Sequence, residues 1–206
     1  MSVATAQPDG ALPVRVDYDF ASSLCYVAHR TMERLRDPLE TLGIALVWSP
    51  LDLTAITGWR RGALMDADRR ENVQRVSREL SVPIRIPRIW QDSRSAHAVA
   101  LTAPPDREPT WRERVFTAAY EEGRLLDDAS TRELAAELGL DLAEDVLAEG
   151  LDRLEARTRQ AREQEVTGVP NFMLGVWPFG GIQSDETMLS ILGRYARKER
   201  ERSGLA

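Results

Sequence analysis

The chain has 206 residues, 33 acidic against 27 basic side chains, a formal charge of -6 and 43% hydrophobic residues. That is enough apolar material for one substantial core with an inserted or appended subdomain, and not the composition of a polyanion binder. Cys25 is the sole cysteine and His29 and His97 are the only histidines, which excludes an intramolecular disulfide and a Cys-based zinc cluster.

The first dozen residues are small and polar with two prolines and read as a frayed leader. They hold no basic stretch followed by a long apolar run, and no eighteen consecutive residues anywhere are apolar, so the expectation is a protein that is neither exported nor membrane-spanning, with a cytoplasmic, reducing setting. Val14 to Asp19 mixes β-branched and aromatic residues over a strand-sized length. From Cys25, the positions Tyr26, Met32, Leu35 and Leu39 mark an imperfect helical stripe, with a kink or an end expected near Pro38. Gly43 closes that helix and Ile44 to Trp48 reads as a second strand, giving a βαβ unit with parallel strands. Pro50 then stops the strand and a long excursion begins.

Residues 64–80 suit an amphipathic helix around Val73, Val76 and Leu80. Ser81 to Ile89, with Pro83 and Pro87, reads as extended linker. A short helix through Ala98 and Leu101 is stopped by Pro104-Pro105, and Thr110 is placed as the cap of a helix carrying Val115, Phe116 and Tyr120 up to a break at Gly123. Ser130 to Glu133 and Asp141 to Glu144 both set a capping side chain three positions before a glutamate. Leu134 and Leu138 line the first of these helices; Val146, Leu147, Leu151 and Leu154 line the second, which runs on or restarts through Arg157 to Glu165. Gly168 to Leu174 and Val176 to Ile182 suit an antiparallel hairpin in which Pro178 needs an edge or bulge. Ser184 caps a final helix packed through Met188, Leu189, Leu192 and Tyr195.

Strand, helix, strand, helical excursion, hairpin and helix is an order that resembles an α/β thioredoxin-like fold with a large inserted helical subdomain. On that reading residues 13–58 and 156–200 form the two parts of the thioredoxin-like domain, and 59–155 form the insertion.

The run Asp19-Phe20-Ala21-Ser22-Ser23-Leu24-Cys25-Tyr26 resembles the aspartate, aromatic and C-P-W-C-Y pattern of FrnE-like proteins. Ala96-His97, Ala119-Tyr120-Glu121-Glu122-Gly123, Gly168 to Phe172 and Gly180-Gly181-Ile182-Gln183 resemble later elements of the same pattern. The chain therefore resembles the DsbA-like thioredoxin superfamily, with a second likeness to 2-hydroxychromene-2-carboxylate isomerases and kappa-class glutathione transferases. In redox-active members a thiolate at the helix N-terminus attacks a disulfide and a second cysteine resolves the product. Ser22 stands at the first of these positions, and a hydroxyl supports no such cycle.

The resemblance implies a catalytic pair of Ser22 and Cys25. Cys25 is either an inert core residue or a lone reactive thiol, which His29, four residues on and on the same helical face, would assist unless that ring satisfies a backbone or side-chain partner elsewhere. Ser22 is a helix N-cap in any case, and in the isomerase and kappa-class relatives the equivalent serine donates to the sulfur of glutathione. Ser23 and Leu24 replace the proline and the aromatic or small residue usual there; Ser23 either adds a second hydroxyl for glutathione or shows that no catalytic demand fixes the loop. The resemblance also makes Val169-Pro170 a cis-proline loop facing the helix, with Val169 pairing to glutathione or an extended peptide, and Asp185 a partner for an ammonium group. Arg60, Arg61 and Arg69 are candidates for ligand carboxylates; as the short basic runs around them lack interleaved aromatics, they also read as solvated helix faces. The tryptophans read as core or interface material.

Three functions follow. The leading one is a divergent DsbA-family oxidoreductase-like protein acting on or with a thiol such as glutathione. The alternatives are a glutathione-dependent isomerase or transferase, with glutathione not tightly bound, and a non-catalytic peptide binder. Partners are glutathione, a small aromatic substrate or a peptide thiol, with neither nucleic acid nor membrane; the resemblance allows a homodimer.

Overall fold

A computed structural model describes residues 10–140 and 142–204. Its centre is a sheet in the order β2-β1-β3-β4, built from β1 (Leu12–Tyr18), β2 (Ile44–Pro50), β3 (Asn171–Leu174) and β4 (Trp177–Gly180). β1 and β2 run parallel from Leu12 opposite Ile44 to Tyr18 opposite Pro50, as the crossover between them requires. β3 is antiparallel to β1, with Asp17 opposite Asn171, and β4 completes the hairpin. Pro178 lies in β4, the edge strand, where its missing amide hydrogen breaks no ladder.

The crossover is two helices, α1 (Ser23–Arg34) and α2 (Arg36–Thr41), with the break at Leu35. Pro38 is the third residue of α2, so its lost donor is one of the early amides that no helix satisfies internally. After β2 come a single turn α3 (Thr54–Thr57), then α4 (Ala67–Glu79), the extended segment 80–93, α5 (Arg94–Thr102) and α6 (Glu108–Thr117). α6 continues as a π-helical turn over Ala118–Glu122. α7 (Asp128–Glu137), α8 (Glu144–Glu163) and the final α9 (Asp185–Arg202) complete the chain. This is the thioredoxin-like α/β core with a large helical insertion that the element order implies.

Three local expectations shift. α6 starts at Glu108 with Pro109 in its first turn, so Thr110 lies inside the helix. α7 is capped by Asp127: Ser130 N–H donates to Asp127 Oδ1 at 2.8 Å and Asp127 N–H to Ser130 Oγ at 2.9 Å. The reciprocal box is present, displaced by three residues because the carboxylate is the stronger acceptor, and Glu133 pairs instead with Arg124. α8 begins after Ala143; Asp141 lies outside the described residues, as do residues 1–9 of the expected leader. α8 is continuous through residue 155, and it buries Gly150, Leu154, Thr158 and Ala161 while Leu151 is 39% exposed.

One apolar cluster joins the sheet to the insertion. Val14, Val16, Tyr18 and Phe20 pack with Cys25 and Val27 of α1 and with Trp111, Phe116 and Tyr120. α5 and α8 approach so closely that a Cβ on Gly150 would lie 2.5 Å from the carbonyl oxygen of Ala98.

Candidate functional site

β1 carries the chain to a tight turn at Asp19, whose buried carboxylate is the anchor of the site. Asp19 Oδ1 accepts from the Ala21 amide at 2.8 Å and from Ser93 Oγ at 2.6 Å, and lies 2.9 Å from His97 Nε2; Oδ2 accepts from the Leu53 amide at 2.8 Å. Burial alone would push this carboxyl up, but the His97, Ser93 and Ala21 contacts hold it below the usual carboxylate range. The anchor fixes the loop just before Ser22. Sequence reasoning matched Asp19 and His97 to a pattern but gave them no role, since nothing in a linear sequence brings positions 19, 93 and 97 together.

Ser22 takes an extended backbone (φ -90°, ψ 111°) and caps α1, its Oγ accepting from the Cys25 amide at 3.4 Å. As a cap the hydroxyl uses its acceptor side, and its hydrogen bond with Cys25 works against burial on the thiol. The amides of Ser23 and Leu24, in the first turn, have no acceptor among the described residues. Ser22 is 5% exposed and Ser23 3%, and Ser23 Oγ is buried without a hydrogen-bond partner. The site is a set of donors at the positive end of a helix.

Cys25 does not belong to it. The thiol is fully buried in the apolar cluster, and burial pushes it up to about 12, against the lowering effect of Ser22. Of the two readings of His29, a partner for Cys25 or a ring satisfied elsewhere, the structure gives the second: His29 Nε2 lies 2.9 Å from Glu113 Oε2. Burial moves His29 below its ordinary value, so the neutral ring donates to Glu113.

Val169-Pro170 reaches the same end of the sheet. Asn171 pairs with Asp17, so Pro170 lies level with Tyr18, four residues before Ser22. The bond between Val169 and Pro170 is cis. Asn171 Nδ2 donates to Asp17 Oδ2 at 2.8 Å, and Gly181 N–H to the Pro170 carbonyl at 2.7 Å, which fixes the loop on both sides. The N–H and C=O of Val169 have no partner among the described residues, and a cleft of about 230 Å³ lies beside them, lined by Thr167, Gly168, Val169 and Gly181. Ser22 does not line that cleft.

The charged candidates are engaged elsewhere. Asp185 pairs with Arg34 at 2.9 Å, at the last residue of α1, a helix that rises about 18 Å from the Ser22 end. Arg61 bridges Asp52 and Asp92, and Arg69 lies 4.0 Å over the ring of Trp59, itself stacked on Trp90 at 3.5 Å. Arg60 is exposed. Trp111 is core, its Nε1 donating to the Ala96 carbonyl at 2.9 Å, whereas Trp177 is 75% exposed on the hairpin, contrary to its reading as packed material. Among the described residues no three metal-ligating side chains cluster, and no helix is long and apolar enough to cross a membrane.

A family model described as the DSBA-like thioredoxin domain matches residues 14–192. No curated protein matches the sequence. Among solved structures, a 2-hydroxychromene-2-carboxylate isomerase is 20% identical with a TM-score of 0.71, over 95% of this chain and 100% of its own. A probable DsbA oxidoreductase from Streptomyces coelicolor is 20% identical with a TM-score of 0.68, over 89% of each chain. The cytosolic disulfide reductase DsbM from Pseudomonas aeruginosa, solved with glutathione, is 19% identical with a TM-score of 0.59, over 94% of this chain and 100% of its own.

Proposed function

The chain belongs to the DSBA-like thioredoxin domain family, and from that premise we propose that it is a glutathione-dependent isomerase or transferase whose reactive sulfur is supplied from outside the protein. One observation carries this reading: the only thiol of the chain is sealed in the core, while Ser22 caps the N-terminal end of α1, where a family nucleophile belongs. The single-thiol oxidoreductase reading needs a reachable Cys25 thiolate, and burial opposes both its formation and its access.

The chain's donors fit a thiolate-bearing peptide. Ser22 Oγ–H and the unpartnered Ser23 and Leu24 amides present donors to an anion, and the field of α1 favours negative charge at that end. The unpartnered N–H and C=O of Val169 suit an extended backbone laid along the loop as a short added strand. Glutathione, when bound there, supplies the nucleophilic sulfur. Ser22 holds the proton donor that steadies it, and the wall formed by Phe20 and Tyr120, whose hydroxyl donates to the Phe20 carbonyl at 2.7 Å, keeps the loop closed behind it. The Pseudomonas relative, named as a cytosolic reductase and solved with glutathione, supports this ligand and a cytoplasmic setting.

The test is the ionisation of the bound thiol. A hydrogen bond to a charged group is worth about 1.5–3 kcal/mol, so the thiol should ionise about one to two pH units below its free value. Thiolate absorbance during a pH titration of the glutathione complex reads this shift, and Ser22→Ala should abolish most of it. Failure to bind, or an equal shift in the variant, removes Ser22 from the mechanism.

A further inference from the structure

A second cleft, of about 510 Å³, runs along the flank of α1. That is the size of a small-molecule site. Tyr26, Arg30 and Arg34 recur at four-residue spacing on one face of the helix, and Ser22 does not line the cleft. The opposite wall is the extended segment 81–85, and it is pinned. Ser77 Oγ donates to the Val82 carbonyl at 2.6 Å and the Arg85 amide to the Tyr120 carbonyl at 2.7 Å, while Tyr26 OH lies between Glu121 Oε1 at 3.0 Å and the Pro83 carbonyl at 3.2 Å. The cleft is thus pre-formed; its accessible apolar surface comes from Pro83 and Ile84, backed by the buried, stacked rings of Tyr26 and Tyr120 at 5.2 Å.

Its charge is unusual for a chain of net charge -6: three arginines line it against one acid, Glu121. Two are already committed. Arg30 binds Glu113, Glu121 and Thr117, and Arg34 binds Asp185 and the Leu80 carbonyl. Arg85 is different, for its guanidinium has neither an acidic nor a hydrogen-bonding partner among the described residues. An uncommitted guanidinium at the rim of an apolar cleft is complementary to a carboxylate on an apolar body.

We propose that this cleft is an accessory binding site for a small apolar monocarboxylate, with the carboxylate on Arg85 and the hydrocarbon against Pro83 and Ile84. The site is separate from the Ser22 end of α1 and stands without the glutathione reading. The reach from Tyr26 to Arg34 is about 12 Å along the helix, which suits an extended chain of medium length.

Calorimetric titration of the full chain with octanoate tests it, with octanamide as the uncharged counterpart. Octanoate should bind at least about tenfold more tightly than octanamide, Arg85→Ala should reduce octanoate to the octanamide level, and Arg85→Lys should retain most of the affinity. Ser22→Ala should leave octanoate binding unchanged, while glutathione binding is measured separately on the same variants. Equal binding of acid and amide, or full octanoate affinity in Arg85→Ala, overturns the site. Loss of octanoate binding in Ser22→Ala overturns its separateness.

Discussion

A thiol held at about 12 makes a quantitative demand on Cys25. At pH 8 it is ionised to about one part in ten thousand, whereas a thiol near 9, as in the unfolded chain, is ionised to about one part in ten. Reaction with an aromatic disulfide reagent should therefore run about a thousandfold slower in the native protein than in denaturant, before any allowance for the opening that access requires. The native rate should climb about tenfold per pH unit through pH 10 without a plateau near 9. The same shift bears on stability. The folded thiol's pKa lies above its unfolded value, so its contribution is complete below pH 9 and is lost as pH rises towards 12, by about 1.4 kcal/mol per unit. A native rate within tenfold of the unfolded one, or a plateau near 9, would refute the burial argument and restore Cys25 as a candidate nucleophile.

Asp19→Asn should cost about 3 kcal/mol or more in urea unfolding, since an amide group in place of one carboxylate oxygen faces a donor with a donor; a loss under about 1 kcal/mol would show that the four contacts are not what holds the loop. Gly150→Ala should destabilise by about 1–3 kcal/mol, because its Cβ meets backbone as well as the Ala98 side chain, and an unchanged thermal midpoint would mean that α5 and α8 separate freely. Glu113 is held down to about 2 by its bonds to His29 and Arg30, so the stability it lends is present above its ordinary value of 4.5 and fades as pH falls towards 2. Glu113→Gln should flatten thermal stability between pH 5 and 3; an acid limb identical to the parent would remove this group from it.

The sequence carried the fold well where local grammar decides structure. Two short strands around a helical crossover broken ahead of Pro38, a hairpin with Pro178 on an edge, and Ser184 before the last helix all follow from rules that act within a few residues. The cap of α7 was displaced because two residues there satisfy the same rule, and only geometry decides whether Asp127 or Ser130 leads; α6 starts before Thr110, and its N-cap residue, Arg107, makes no side-chain capping bond. The site was legible in part. Ser22 announces itself by replacing a familiar residue at a familiar place. Asp185 was taken by Arg34, and Arg61 by two aspartates, because ion pairs between distant segments leave no trace in spacing. The uncommitted state of Arg85 and of the Val169 backbone is likewise a statement about missing partners, which only coordinates make.

The insertion is what turns a thioredoxin-like scaffold into this particular site. Ser93 and His97 come from the start of α5, yet both end on the carboxylate of Asp19 in the strand-to-helix turn of the core. Phe20 stacks on His97 at 4.8 Å and meets Phe116 of α6 at 5.0 Å. Without these helices Asp19 would lose two of its partners, and Tyr18 and Phe20 would lose their apolar cover. The loop presenting Ser22 is thus set from two directions, by β1 behind it and by a helix from more than seventy residues further along the chain. A serine at a helix start is only a cap. Here the turn that carries it is fixed because the insertion and the sheet share one core.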